Sequence, residues 1–598
     1  MKHFSIIATL LLLSGFSWTF AQPPVINSFT PTSGAINTIV TINGTGFNSI
    51  PDSNVVYFGS IHATVKSASS TMISATVPAG ATRGSLTVIN KGTRLLAKST
   101  SAFDITFLGS ELAFNPVVRL NPKSPAMNVK LADMDGDGKA DILATAPHYN
   151  TLMVFRNKSQ KEKIDTTSFT EPLTYPTGPQ AGFVAVEDLD GDGKLDIVLL
   201  NVGFTKTDLS NNSLSFYRNV GKPGNINLMP VAVSDTVPGK PDYNFILKPG
   251  DKDAIIGDID GDGKPDLVVL NKNGFITIFR NTYTPAKPTE FFFGAGITIQ
   301  VGISLGIIKL GDMDNDGKTD IVITNDNDHS IITLRNNCTV GRILQSSFVQ
   351  TEFPLNFRPT AINLKDMDGD GKLDTVLDKP ENNSVSIIQN TSIPGDLTGN
   401  LINITELKIS PDFYNDLMTQ DINGDGKLDF VSLSATQDSI YFYPNKSEPL
   451  QQISSAYFKD RIDIPIVTIP DCVADLDGDG IPDMIVGSAF GIDIYHHKIN
   501  DVPTSIPREE EVSSLSMTIY PNPASTITNI KYNLLQKSQV SITVYDNVGR
   551  VLLSADERSK TPGDHIKTID TSGLKDGIYV LKLTTDSSYK TGKLLIIR

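Results

Sequence analysis

Between about residue 125 and residue 500 one pattern of apolar and polar positions keeps returning. An alternating stretch such as AGFVAVEDLD (Ala181–Asp190) enters a nine-residue loop of Asp and Gly; a short apolar run follows, then a turn and an alternating stretch ending in Arg-Asn. The apolar runs are ILAT from Ile142, IVLL from Ile197, LVVL from Leu267, IVIT from Ile321, TVLD from Thr375, FVSL from Phe430 and MIVG from Met484. Runs this short, rich in β-branched residues, predict buried strands, and the alternation predicts half-buried ones. The Arg-Asn ends are VFRN at Val154, FYRN at Phe216, IFRN at Ile278 and TLRN at Thr333. With a variable loop and one more strand, each unit predicts four antiparallel strands.

The loops start at Asp133, Asp188, Asp258, Asp312, Asp366, Asp421 and Asp475, spaced 55, 70, 54, 54, 55 and 54 residues apart. A fixed period of that size marks a repeat architecture, and seven four-stranded units predict an all-β, seven-bladed propeller. LAFNPVVRL, ahead of the first loop, occupies the third-strand position of later units and is expected to complete the last blade. Connections in such a blade alternate between its two faces, so the Asp loops and Arg-Asn ends share one face.

Oxygen ligands at positions 1, 3 and 5, a backbone carbonyl at 7 and a carboxylate at 9 wrap one hard cation, and Gly at 6 permits the sharp turn. The candidate ligand sets are Asp133, Asp135, Asp137, Lys139 and Asp141; Asp188, Asp190, Asp192, Lys194 and Asp196; Asp258, Asp260, Asp262, Lys264 and Asp266; Asp312, Asp314, Asp316, Lys318 and Asp320; Asp366, Asp368, Asp370, Lys372 and Asp374; Asp421, Asn423, Asp425, Lys427 and Asp429; and Asp475, Asp477, Asp479, Ile481 and Asp483. Calcium, up to seven ions, suits this oxygen-only set better than magnesium with its strict octahedron. A single such loop has a second reading, a polar surface turn. Seven in one register do not. An EF-hand is excluded, because position 12 is Ala144, Leu199, Val269, Ile323, Leu377, Ser432 or Val486 instead of Glu, and strands, not helices, flank the loops.

These repeats resemble the FG-GAP/VCBS family of calcium-loop propellers, which includes the head of integrin α subunits. The resemblance implies extracellular binding. Residues 106–499 are assigned to the propeller. Residues 22–105 alternate short apolar strands with turns and resemble the IPT/TIG immunoglobulin-like family through SFTPTSGA (Ser28–Ala35), TINGTGF (Thr41–Phe47), VVYFG (Val55–Gly59) and ATVPAGATRGSLTV (Ala75–Val88). That resemblance implies a β-sandwich acting as a stalk or binding module. Residues 500–515 are a charged, Pro-containing linker. Residues 516–598, with IYPNPAS (Ile519–Ser525), ITVYDNVGRVLL (Ile542–Leu553) and GIYVLKL (Gly577–Leu583), are similar to the C-terminal sorting domain of the type IX secretion system. This implies passage through that machinery and a secreted or outer-membrane surface location in a Gram-negative bacterium.

Residues 1–21 have a basic start, an apolar core from Ile6 to Leu13 and a small residue at Ala21, which predicts a signal peptide. No later stretch has the length of a transmembrane helix. The net charge of −15 is site charge: the loops hold 27 Asp and six Lys, leaving about +6 elsewhere. No basic run with interleaved aromatics suggests nucleic acid. Cys338 and Cys472, in the fourth and seventh repeats, are expected to be unpaired.

No catalytic residue is identified. His148 and His329 belong to separate repeats, and His496 and His497 are expected to be solvated and to face opposite ways. The expectation is a non-enzymatic adhesion or ligand-binding module for an extracellular protein or glycan; the alternative is a calcium-stabilised polysaccharide lyase or hydrolase. The only tryptophan, Trp18, lies in the signal peptide. The longest repeat, with Phe204, Lys206, Tyr243, Phe245 and Lys248 in its enlarged rim, is a candidate partner surface.

Overall fold

The computed structural model describes the chain apart from residues 1–20, 107–116, 121–124, 179, 202–211, 232–233, 238–239, 243, 249, 287–291, 380–383, 398–402, 409–412, 424, 435–438, 448–452, 459, 465–470, 489–490, 498–516, 535, 546–550, 576, 587–588 and 597–598. Its regular structure is β, with a few short 3-10 turns. Residues up to 109 together with 121–492 form one compact unit, and residues 110–120 with 493–598 form a second.

The first unit begins with an eight-stranded immunoglobulin-like sheet. Its strand Ile61–Ala68 pairs with Val56–Phe58 through its first half and with Ile73–Thr76 through its second, so it carries the chain between two layers. Phe29, Val40, Ile42, Phe58, Ile73, Leu86, Val88 and Phe103 fill the space between the layers.

Seven further sheets follow, each holding one Asp loop. In the first, the strands Met127–Ala132, Asp141–Ala146, Thr151–Phe155 and Leu173–Pro176 lie in chain order, all antiparallel. The Asp loop joins the first two. Strand Asp141–Ala146 is buried at every position, as are Asp196–Asn201, Asp266–Asn271, Asp320–Asn325 and Asp374–Lys379. Burial on both faces explains why these strands read as apolar runs and not as alternation. In the seventh sheet Cys472–Ala474 pairs antiparallel with Asp483–Ser488. The extra residues of the 70-residue interval form a ribbon of Ser234–Val237 with Lys240–Asp242, and a strand Asn244–Ile246 that pairs with Ser213–Ser215 of the second sheet.

The second unit contains Met517–Tyr520, Ile527–Leu534 and Gly563–Asp570 in one sheet, and Val551–Lys560, Ser538–Tyr545, Gly577–Thr584 and Tyr589–Ile596 in another. Ile530, Tyr532, Val540, Ile542, Leu581, Leu583 and Leu594 pack into one core with residues of both sheets. Among the described residues no helix is long and apolar enough to cross a membrane.

Candidate metal centres

Every Asp loop is built by the same hydrogen bonds. The position-1 carboxylate accepts the position-6 amide, as in Gly138 N–H to Asp133 (2.8 Å), Gly193 to Asp188 (2.7 Å) and Gly480 to Asp475 (2.8 Å). This closes the turn, and the position-6 glycines all take positive φ, from 81° at Gly263 to 93° at Gly480. Position 4 is also left-handed: Gly136 has φ 72° and Asn315, the one non-glycine there, has φ 55°. Asn tolerates that region better than most side chains. The position-7 amide donates to the position-5 carboxylate, as in Lys139 to Asp137 (3.0 Å).

The position-9 Asp has a second task. Asp141 accepts Met134 N–H on Oδ2 (2.9 Å) and Asn157 N–H on Oδ1 (2.8 Å). The same pair of bonds recurs at Asp196, Asp266, Asp320, Asp374 and Asp429. This buried carboxylate fastens the loop to the strand that ends in Arg-Asn. Within single loops, carboxylates converge: Asp133, Asp135 and Asp141, or Asp312, Asp314 and Asp316, bring oxygens within 4.8 Å of one another. Burial, with like charges beside it, pushes the carboxyls of Asp133, Asp258 and Asp475 up to about 7 and that of Asp312 to about 6. Burial likewise raises Asp320 to about 7 and Asp374 to about 8. Such clusters are costly as anions without a cation among them.

The Arg-Asn dipeptide supplies two connections that the sequence pattern alone did not assign. Its Arg reaches the position-3 and position-5 carboxylates: Arg156 pairs with Asp135 and with Asp137 (3.1 Å), and Arg335 with Asp314 (2.5 Å) and Asp316 (2.9 Å). Arg280 pairs with Asp260 (2.5 Å) and Asp262, and Arg218 with Asp190 (3.2 Å). In the fifth repeat Gln389 takes the Arg position and donates to Asp368. In the sixth, Pro444 stands there and position 3 is the neutral Asn423, so both charges are lost together. The Asn of the dipeptide donates its side-chain amide to the position-2 carbonyl of the preceding loop: Asn219 to Met134 (2.7 Å), Asn281 to Leu189 (2.9 Å), Asn336 to Ile259 (2.7 Å) and Asn390 to Met313 (2.8 Å).

The immunoglobulin-like domain lies against the loops. Read from the sequence as a stalk or binding module, it rests on the loop-bearing face of the repeats. The Tyr57 hydroxyl donates to the Gly193 carbonyl (2.8 Å), Leu96 N–H to the Gly263 carbonyl (2.9 Å), and Asp133 N–H to the Ser60 carbonyl (3.0 Å). Val55, Tyr57, Ile89 and Leu96 share a core with Ala132, Met134 and Leu195. Between Thr93–Leu96, the second and third loops and Tyr283 lies a cavity of about 680 Å³, which Arg94 and Arg280 also line.

Other candidates fare differently. His496 and His497 are not solvated: each is 2% exposed. They follow strand Gly491–Tyr495 as Arg156 and Asn157 follow Thr151–Phe155, a positional signal the dipeptide pattern already contained. His148 sits in the Pro147–Tyr149 turn and His329 in the turn before Ser330–Asn336, in different sheets. Cys338 and Cys472 are free thiols. Of the rim residues, Phe204, Lys206 and Tyr243 lie outside the described residues; Phe245 packs edge-on against Phe279, and Lys248 is exposed.

Residues 24–107 match the IPT/TIG domain family and residues 518–598 the secretion system C-terminal sorting domain. Residues 114–199, 312–377 and 421–486 match the FG-GAP-like repeat; these stretches contain every loop but the third. No curated protein matches the sequence. Among solved structures, the BBS1N complex with ARL6DN is 13% identical over 66% of this chain and 99% of that one, with a TM-score of 0.38. An auxiliary nutrient binding protein from Bacteroides thetaiotaomicron is 12% identical over 80% and 98%, with a TM-score of 0.31. A putative phosphatase from the same organism is 13% identical over 70% and 94%, with a TM-score of 0.26.

Proposed function

We propose, for a chain that joins an IPT/TIG domain, FG-GAP-like repeats and a secretion-system C-terminal sorting domain, that it is a secreted or cell-surface calcium-binding propeller of seven blades acting as a non-enzymatic ligand-binding module. The observation that carries this reading is the repeated convergence of buried carboxylates in loops that already fix their orientation with backbone amides. In the first loop Asp133, Asp135 and Asp137 would hold the ion, with the Lys139 carbonyl and Asp141 completing an oxygen set. Calcium would supply charge compensation and rigidity, not chemistry on a substrate. The same assignment applies to the six later loops. Asn423 leaves the sixth with one carboxylate fewer, and the neutral Pro444 in place of Arg keeps its net charge in step with the first four.

Because the IPT/TIG domain covers loops of the repeats, ligand capture is placed in the cavity it forms with the second and third loops, whose volume lies in the small-molecule range of ~300–1,000 Å³. Neither the cavity lining nor the loops include a His or Cys. Elemental analysis of the purified full chain after dialysis against calcium should find bound calcium in excess of one ion per chain, and a chelator should lower its Tm. An unchanged melting curve in chelator would remove the calcium reading. Incubation with a polysaccharide panel, followed by mass analysis, tests the enzymatic alternative: released fragments would make the propeller a catalytic scaffold.

A further inference from the structure

A second cavity, of about 180 Å³, lies at the junction of the IPT/TIG domain with the first, fifth, sixth and seventh repeats. Its lining contains three cations from three separate parts of the chain: Arg83 of the IPT/TIG domain, Lys130 of the first repeat and Lys365 of the fifth. The charge of Lys309, on the fourth repeat, also acts on the Lys365 ammonium. The one carboxylate in the lining is Asp471. Its oxygens accept the backbone amides of Val129 (3.3 Å) and Gly487 (2.7 Å). Arg83 is paired with Asp104. Among the described residues, Lys130, Lys309 and Lys365 have no carboxylate within ion-pair distance of their ammonium groups.

Like charges gathered in a recess with low-dielectric walls repel one another and focus a positive potential. Elsewhere in the repeats, cations are matched to carboxylates with care, as Arg156, Arg280 and Arg335 show. Here the three lining cations meet one lining carboxylate, Asp471, and Asp104 on Arg83, one anion fewer than the cations, while Asp253 acts on Lys309 outside the lining. The sequence also had cheap ways to avoid the conflict, since Lys365 occupies the position that Ala132, Glu187, Gly257, Gly311, Gln420 and Ala474 occupy just before the other loops.

We propose that this recess is an anion-binding site for a small oxyanion of the sulfate or phosphate type, held by Lys130, Lys365 and Arg83. Its 180 Å³ fits such a group, free or as the ester head of a sugar, and not a polysaccharide chain. The Thr82 and Thr419 hydroxyls in the lining offer hydrogen-bond donors beside the cations. Binding there would join the IPT/TIG domain to repeats that are far apart in sequence. The site adjoins the fifth loop, since Lys365 precedes Asp366 and Arg83 donates to the Asp366 carbonyl at 3.5 Å, so calcium is held constant in the test.

The test uses the full chain in calcium buffer, with sulfate as the probe and chloride at equal ionic strength as the reference. Sulfate should raise the Tm in a saturable way and bind calorimetrically with near-unit stoichiometry, and Lys365→Gln should weaken binding at least tenfold. Lys365→Gln should also raise the Tm in chloride, because it relieves repulsion; that result shows the variant is folded. Lys158→Gln, on the surface of the first repeat, should leave sulfate binding unchanged. A sulfated monosaccharide competing with sulfate would identify the ester head as a source of the anion; failure to compete would identify the free ion. Equal effects of sulfate and chloride, or sulfate binding that survives Lys365→Gln together with Lys130→Gln, would overturn the proposal.

Discussion

The side-chain amide of Asn157 donates to the carbonyl oxygen of Leu476 at 2.9 Å, tying the first repeat to the seventh across 319 residues of sequence. Ser159 Oγ donates to the same carbonyl at 2.7 Å. Thr405 Oγ1 to Ile453 O (3.2 Å) and Gln420 Nε2 to Val473 O (2.8 Å) link the fifth to the sixth and the sixth to the seventh. Together with the Asn bonds of repeats two to five, these complete a hydrogen-bonded circuit through all seven.

If the circuit is closed, the bond between the ends of the array should matter as much as a bond in its middle. Asn157 and Asn390 have matched surroundings: each also donates to the position-8 carbonyl of its own loop, at 3.0 and 2.9 Å. Asn157→Ala and Asn390→Ala should each cost roughly 1–3 kcal/mol, because the position-8 carbonyl loses its side-chain donor while the position-2 carbonyl keeps that of Ser159 or Ser392. Chemical denaturation of both variants measures this. A near-neutral Asn157→Ala beside a costly Asn390→Ala would mean that the ends are not joined in solution.

The two kinds of Asp in each loop are separable. Asp374 accepts Met367 N–H on one oxygen and Asn390 N–H on the other, both at 2.8 to 2.9 Å, so Asp374→Asn turns an acceptor into a donor facing an amide. That should cost about 1–3 kcal/mol in chelator, and more in calcium because a ligand is weakened as well. Asp370 is exposed and takes its bonds within the loop, so Asp370→Asn should leave the chelated protein's Tm nearly unchanged and reduce the calcium-induced rise. Melting curves in chelator and in calcium distinguish the two.

The strands, the loops and their period were legible in the sequence because each repeat obeys the same local rules: alternation, a glycine where φ must be positive, an apolar run where both faces are covered. The Arg-Asn ends were legible only as a marker. Their roles, Arg on the loop carboxylates and Asn on the preceding loop, connect positions about 20 and about 80 residues apart, which no local period expresses. The IPT/TIG domain's place on the loop face was also hidden. Its contacts fall on the main-chain carbonyls of Gly193 and Gly263, and a carbonyl leaves no signature in the sequence. His496 and His497 misled because histidine outside a motif suggests solvent, whereas their position in the repeat corresponds to a largely covered Arg and a buried Asn.

The raised carboxyls give the metal-free protein an inverted pH response. A carboxyl at about 7 in the folded state and near 3.9 unfolded keeps its proton on folding through the intervening window, so folding takes up protons. Stability therefore falls as pH rises from about 4 through 7, and with Asp374 at about 8 the fall continues slightly higher. Calcium binds the ionised form, so its stabilising effect should grow over the same window. In chelator the Tm should drop between pH 5 and pH 8; with calcium it should drop less or rise. Identical pH slopes with and without calcium would contradict the assignment of these carboxylates to the metal.

Docking of the IPT/TIG domain can be read from two glycines with nearly the same backbone. Gly263 has φ 81° and Gly371 φ 85°, so replacing either with Ala incurs a similar left-handed strain of about 1–2 kcal/mol. Their surroundings differ. A Cβ at Gly371 meets nothing within 4 Å, whereas one at Gly263 meets the Pro23 Cβ at 2.8 Å and the Leu95 Cβ and Leu96 carbonyl oxygen at 3.0 Å. Gly263→Ala must therefore displace the IPT/TIG chain or break the Leu96 N–H to Gly263 bond, at a further cost of roughly 1–3 kcal/mol. The expected outcome is a lower Tm for Gly263→Ala than for Gly371→Ala, with faster proteolysis of residues 22–105 in the first variant alone. Equal Tm values and equal cleavage would mean that the immunoglobulin-like domain does not rest on the third loop, and the cavity assigned to ligand capture would lose one wall.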